Sequence, residues 1–80
     1  MSEEVTVRFF AAARAAASVD EVRIAPGVLV EIIAQLTTQF PELGRVAPAC
    51  SFLVNGVHAT EDAAVPAGAT LDVLPPFAGG

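Results

Sequence analysis

Thr70-Leu71-Asp72-Val73-Leu74-Pro75-Pro76-Phe77-Ala78-Gly79-Gly80 ends the sequence, and its two halves follow different rules. Leu71 and Val73 alternate with Asp72 and Leu74, the pattern of a strand with one apolar face. Pro75 and Pro76 lock φ near about −65° and bring no amide donors, so the strand stops at Leu74 and the tail leaves the sheet. Phe77 and Ala78 follow, then two glycines without side chains, the last bearing a carboxylate. Fully extended, residues 75–80 reach roughly 20 Å from the body. Such a thin end suits the narrow active-site channel of another protein, because nothing at Gly79 or Gly80 limits close approach. Chain ends commonly fray, and two terminal glycines arise by chance in about one chain in two hundred. The pair gains meaning from its place, directly behind a strand broken by two prolines.

Upstream, the chain reads as a platform for this tail. Val5, Val7 and Phe9 alternate with Thr6, Arg8 and Phe10, a first strand. Ala11 to Ala17 is an alanine run around Arg14, read as a connecting loop with one turn of helix because it is so short. A second strand spans Glu21 to Ala25, and Pro26-Gly27 breaks it. From Val28 to Phe40 the period changes: Leu29, Ile33, Leu36 and Phe40 form a helical stripe, stopped by Pro41. No Ser, Thr, Asp or Asn stands at its N-cap, and Gly27 is the only substitute. Residues 42–49 have no sustained period and read as a crossover loop with a short helical turn. A third strand covers Ser51 to Asn55. Asn55-Gly56 is a hairpin signal, since both residues tolerate φ > 0. A short strand returns over Val57 to Thr60, and residues 63–69 read as a turn before the last strand.

Strand, strand, helix, strand, short strand, strand, with a single apolar helical stripe, requires one main helix on one face of a mixed sheet. This α+β order resembles the β-grasp, or ubiquitin-like, fold, in which the first and last strands lie parallel at the centre. The resemblance turns Val5, Val7, Phe9, Leu71 and Val73 toward the helix. Phe10, Leu53 and Leu74 then share the solvent face with Arg8 and Asp72, a pair able to meet across neighbouring strands. Three large apolar side chains there mark a partner-binding surface at the root of the tail.

Composition narrows the function. Eighty residues make one domain, 1–80, with its tail at 75–80, and leave no room for a large buried pocket. The core must come from Val, Leu, Ile, Ala and the five Phe, since the chain is 54% hydrophobic and lacks Trp and Tyr. A net charge of −5, from nine acids, four arginines and no lysine, argues against nucleic acid and against self-linkage through lysine. Protein partners are expected to be basic where they meet this chain. A single cysteine cannot form an internal disulfide and fits a reducing compartment. The acidic N-terminus lacks the features of a signal peptide, and no apolar run approaches membrane-spanning length, so the expected location is cytoplasmic, with no membrane partner.

Other chemistry-bearing residues read as structural. Cys50 has no basic neighbour and opens an apolar strand, as a buried structural thiol would. Asp20-Glu21 and Glu61-Asp62 lack further ligands at metal spacing and read as solvated turns, so no metal is expected. His58 has no partner base nearby and reads as a surface residue.

The sequence as a whole resembles the small, sulfur-carrying subunit of molybdopterin synthase, of the MoaD/ThiS family. The residues that carry this are Val7-Arg8-Phe9-Phe10-Ala11-Ala12-Ala13-Arg14, the Asn55-Gly56 hairpin and above all Leu74 to Gly80. The resemblance implies that a MoeB-type enzyme, using ATP, adenylates the Gly80 carboxylate. A persulfide sulfur then replaces AMP to give a C-terminal thiocarboxylate. Inserted into a MoaE-type large subunit, in a heterotetramer with two copies of each chain, the tail would deliver sulfur to cyclic pyranopterin monophosphate. The chain would hold no cofactor and be non-catalytic alone, a subunit of a sulfurtransferase. Pro75, Pro76, Phe77, Ala78 and Gly79 would form the inserted tail, and Phe10, His58 and Leu74 fall at the family's contact positions. His58 departs from the apolar residue expected there, and the missing N-cap departs from the usual Thr or Ser. Carriers for thiazole or cysteine synthesis and ubiquitin-like modifiers share the fold and the terminal glycines. Thiazole carriers are usually shorter and lack the double proline.

Overall fold

Five strands form one mixed sheet in a computed structural model that describes residues 3–76. They are β1 (Val5–Phe9), β2 (Glu21–Ile24), β4 (Ser51–Val54), β5 (Val57–His58) and β7 (Thr70–Leu74), in the spatial order β2-β1-β7-β4-β5. β1 and β7 run parallel at the centre, and the other pairs are antiparallel. A small second ladder joins β3 (Gly27–Val28) to β6 (Ala64–Val65). Helices α1 (Ala11–Ala17) and α2 (Leu29–Gln39), with two 3₁₀ turns at Pro41–Arg45 and Ala47–Ala49, complete the fold.

The alternation along β1 and β7 turns Val5, Val7, Phe9, Leu71 and Val73 into the core, each almost fully buried. They meet Leu29, Ile32 and Leu36 of α2, together with Leu43, Phe52 and Val65. Phe9 and Phe40 close the far end edge to face, their ring centroids 5.8 Å apart at 77°. The Asn55-Gly56 turn has φ of 50° and 83°, so both central residues are left-handed as a tight hairpin demands. Asn55 is tied on both sides: its N–H donates to Thr70 O at 2.8 Å, and Thr70 N–H donates to Asn55 Oδ1 at 2.9 Å.

Four expectations are corrected. The alanine run is a seven-residue helix and not a loop with one turn, because Ala13 and Ala17 are small enough to bury against the core. The buried stripe of α2 is Leu29, Ile32 and Leu36, with Ile33 and Phe40 only half-buried, so the face is rotated from the one drawn through Ile33. The helix is capped neither by Gly27 nor, among the described residues, by a side chain. Its first free amides, Leu29 N–H and Val30 N–H, donate to Ala63 O and Glu61 O, each at 2.9 Å. The stretch read as a turn at residues 63–69 contains β6, which pairs with Gly27–Val28 and holds that capping loop in place. Element ends otherwise differ by a residue or two, with β2 stopping at Ile24, β4 at Val54 and β5 at His58.

Candidate functional site: the outer sheet face and the root of the tail

Ladder register places one row of side chains across the whole outer face. Glu21 lies opposite Arg8, Arg8 opposite Asp72, Asp72 opposite Leu53 and Leu53 opposite His58. At the centre, Arg8 Nε donates to Asp72 Oδ1 at 2.7 Å and Nη2 to Oδ2 at 3.0 Å, a two-pronged bridge between the parallel strands. The Asp72 side chain is 13% exposed and that of Arg8 49%. The carboxylate is therefore buried beneath its guanidinium, and Asp72, by hydrogen bond and by charge, raises the Arg8 pKa above its ordinary value. The same guanidinium carbon stands 5.6 Å from the Phe10 ring centroid, within cation–π range on the same face.

One row nearer the tail, Leu74 is opposite Ser51, and Phe10 N–H donates to Val73 O at 3.2 Å beside it. Phe10, Leu53 and Leu74 are half-buried and His58 is exposed. By register Phe10, which follows the Phe9–Val73 pair, comes beside Leu74, Leu53 lies one row back opposite Asp72, and His58 is on the edge strand opposite Leu53. Beyond Leu74 the tail starts with Pro75 buried and Pro76 exposed. Phe77, Ala78, Gly79 and Gly80 lie outside the described residues.

Sequence reading did not anticipate an apolar cleft of about 290 Å³ at the root of the tail, lined by Ala11, Ala12, Arg45, Val46, Ala49, Pro75 and Pro76. Its walls are the start of α1 and the aperiodic 3₁₀ segment, which carries no pattern to mark it. A larger open groove, about 640 Å³, runs between α2, the 3₁₀ turns and the β4–β5 edge, with Leu29, Ile33, Phe52, Cys50 and His58 among its walls. We assign the tail's surroundings and not this groove as the site, since the groove gathers no reactive set. Among the described residues no three His, Cys, Asp or Glu side chains converge as a metal site. The Cys50 thiol donates to Val46 O at 3.2 Å and burial pushes its pKa up, so it is a poor nucleophile. Asp20 and Glu21 are both exposed, and so are Glu61 and Asp62. Among the described residues no helix is long and apolar enough to cross a membrane.

Comparison with known proteins bears on what such a platform belongs to. A family model described as the ThiS family matches residues 7–80. The chain belongs to the ThiS family. Among curated proteins none matches its sequence significantly. Among solved structures it is similar to SAMP1, the small archaeal modifier protein 1 of Haloferax volcanii. That likeness has 25% identity and a TM-score of 0.83 over 96% of this chain and 99% of the other. It is similar to a Pyrococcus furiosus protein provisionally described as subunit 1 of a molybdopterin converting factor, with 22% identity, a TM-score of 0.83 and coverage of 92% and 98%. It also resembles a chain of the Helicobacter pylori complex of subunits 1 and 2 of molybdopterin-converting factor, at 22% identity, TM-score 0.72 and coverage of 96% and 99%. The fold is thus the ubiquitin-like β-grasp of the ThiS/MoaD-type sulfur carriers.

Proposed function

We propose that this ThiS-family chain is the sulfur carrier subunit of a molybdopterin synthase. The observation that carries the reading is the path of β7. It runs through the centre of the sheet and into Pro75-Pro76, with Phe10, Leu53 and Leu74 on the outer face in the last two rows before that end. In this reading the outer face docks a partner while the tail enters the partner's active site.

A MoeB-type enzyme spends ATP to adenylate the Gly80 carboxylate, turning a poor electrophile into a good one. A persulfide displaces AMP to leave an acyl disulfide, a second thiol cleaves its S–S bond and departs as a disulfide with the sulfur donor, and the thiocarboxylate so released is the nucleophile that a MoaE-type large subunit presents to cyclic pyranopterin monophosphate. Support for a large-subunit partner comes from the Helicobacter protein, which was solved as subunit 1 with subunit 2. The chain contributes no catalytic side chain: Leu53, Leu74, Phe10 and His58 bind, residues 75–79 reach, and Gly80 carries. The likeness to a small archaeal modifier protein favours one second reading, in which the same activated tail forms an amide with a lysine of another protein.

Intact mass after incubation with ATP, a MoeB-type enzyme, a persulfide donor and a thiol reductant tests the carrier chemistry. The expected result is a gain of one oxygen-for-sulfur exchange that a Gly80-deleted chain does not show. No gain with an enzyme proven active on another carrier would reject it, and recovery of the chain linked to target lysines would favour the modifier. Leu53→Glu should take up sulfur poorly while keeping the far-ultraviolet spectrum of the folded chain.

A further inference from the structure

The edge of the sheet formed by β2 lies on the far side from β5 and, among the described residues, is paired by no strand other than β1. Its backbone orientation follows from the ladder. Phe9 N–H donates to Asp20 O at 2.9 Å, which makes Phe9–Asp20 a hydrogen-bonded position in the antiparallel pair. Alternation then turns the amides and carbonyls of Val22 and Ile24 toward β1 and those of Glu21 and Arg23 outward. Thr6 N–H, which donates away from β2 to Ala69 O at 3.0 Å, has the orientation this alternation requires. The outward groups of Glu21 and Arg23 meet no backbone partner among the described residues.

We propose that this edge is self-complementary: a second copy of the chain pairs with β2 in antiparallel fashion, about a two-fold axis at Val22. In that register Glu21 lies opposite Arg23 of the second copy, and Arg23 opposite its Glu21. Both are hydrogen-bonded positions, so the outward N–H and C=O groups are satisfied, and each carboxylate meets a guanidinium on the same face. Other registers fail on physical grounds. Centring on Glu21 or on Arg23 sets like charges against each other. A slip of one residue turns the outward groups of one copy against the inward-facing groups of the other. Charges on an edge strand ordinarily discourage pairing, but here their alternating sign favours one partner, the identical strand.

The charge balance around the strand agrees. Arg8, Arg14 and Arg45 each have an acidic partner within 4 Å, at Asp72, Asp20 and Glu42. Arg23 has no acidic partner among the described residues. Glu21 faces Arg8, whose guanidinium is already held by Asp72. Because the paired strands are antiparallel, the two copies of β7 point in opposite directions and the tails leave at opposite ends of one continuous sheet. Pairing at β2 therefore leaves Leu53, Leu74 and His58 open for the partner of the carrier reaction.

Sedimentation equilibrium of the full chain, from micromolar to millimolar concentration, tests this. The expected result is a weak dimer that loosens as salt is raised. Arg23→Glu and Glu21→Arg each turn two attractive contacts into repulsive ones and should weaken it about tenfold or more, while the double exchange Glu21→Arg/Arg23→Glu should restore it to within about threefold. The register is checked by Val22→Cys in a Cys50→Ser background. The axis brings the two Val22 Cα atoms to about 4.5 Å, within disulfide reach, so mild oxidation should trap the dimer. A wild-type chain that stays monomeric at millimolar concentration overturns the proposal. So does an association that the double exchange fails to restore, which would belong to another surface.

Discussion

Ile32 and Ile33 are adjacent and chemically identical, and the structure separates them sharply. Ile32 is 1% exposed against the sheet, whereas Ile33 is half-buried and lines the open groove beside α2. Truncating either to alanine removes three carbons. At about 0.8 kcal/mol per buried carbon, Ile32→Ala loses about 2.4 kcal/mol of transfer free energy. A residual cavity among Leu29, Leu36 and the sheet brings the expected loss to about 3 kcal/mol. Ile33→Ala gives up only part of its burial and opens onto solvent, so it leaves no sealed cavity, and about 1 kcal/mol is expected. Unfolding entropy of about 2.1 cal/mol/K per residue gives an 80-residue domain about 170 cal/mol/K, so 1 kcal/mol moves Tm by about 6 °C. Ile32→Ala should therefore melt about 18 °C below wild type and Ile33→Ala about 6 °C below, followed by circular dichroism and checked by urea unfolding. Equal losses, or a larger loss at Ile33, would show that the helix presents the other face and refute the packing described here.

Three further outcomes follow from the ion pairs and titrating groups. Arg8→Ala strands the buried Asp72 carboxylate and should destabilise the fold more than Arg14→Ala, whose contact with Asp20 at 3.7 Å is exposed on both sides; parallel urea titrations compare them. Cys50 should react with iodoacetamide more slowly than free cysteine at neutral pH, with its rate rising only above the ordinary thiol range, as the mass of timed samples would record. Thr60 Oγ1 donates to Asp62 Oδ1 at 2.6 Å and, together with the Asp62 backbone amide, holds that carboxyl below its ordinary pKa. A depressed carboxyl stabilises the fold above its unfolded pKa, and that contribution disappears as pH falls through the folded one. Thr60→Val should raise the Asp62 midpoint in a carboxyl-carbon NMR titration and shift the acid limb of the stability profile upward.

Much of the placement of the candidate site's residues was legible because its signals are local. Period-two alternation in Val5–Phe9 and Thr70–Leu74 assigns inner and outer faces wherever the strands pair, so Phe10, Leu53 and Leu74 could be placed on the outer surface before any pairing was known. Asn55-Gly56 specifies its own φ angles, and Pro75-Pro76 ends β7 by removing donors, whatever surrounds them. The expected meeting of Arg8 and Asp72 needed only a parallel centre with the outer parities matched.

The rest lay in contacts between distant parts of the chain. Leu29, Ile32, Ile33, Leu36 and Phe40 all lie on one broad apolar arc, and only the position of the sheet decides that Ile32 is central and Ile33 peripheral. No residue next to α2 caps it, since the acceptors for Leu29 and Val30 come from Ala63 and Glu61, held there by the β3–β6 ladder. An alanine helix as short as α1 is marginal in isolation and is fixed by burying Ala13 and Ala17. The cleft at the root of the tail joins α1, the 3₁₀ segment and the two prolines. Strand faces, the hairpin and the end of β7 at Leu74 were thus set within the sequence, because backbone sterics and side-chain periodicity act within a few residues. Tertiary structure alone decided the buried face of α2, its cap and the cleft, because each depends on groups brought together from distant parts of the chain.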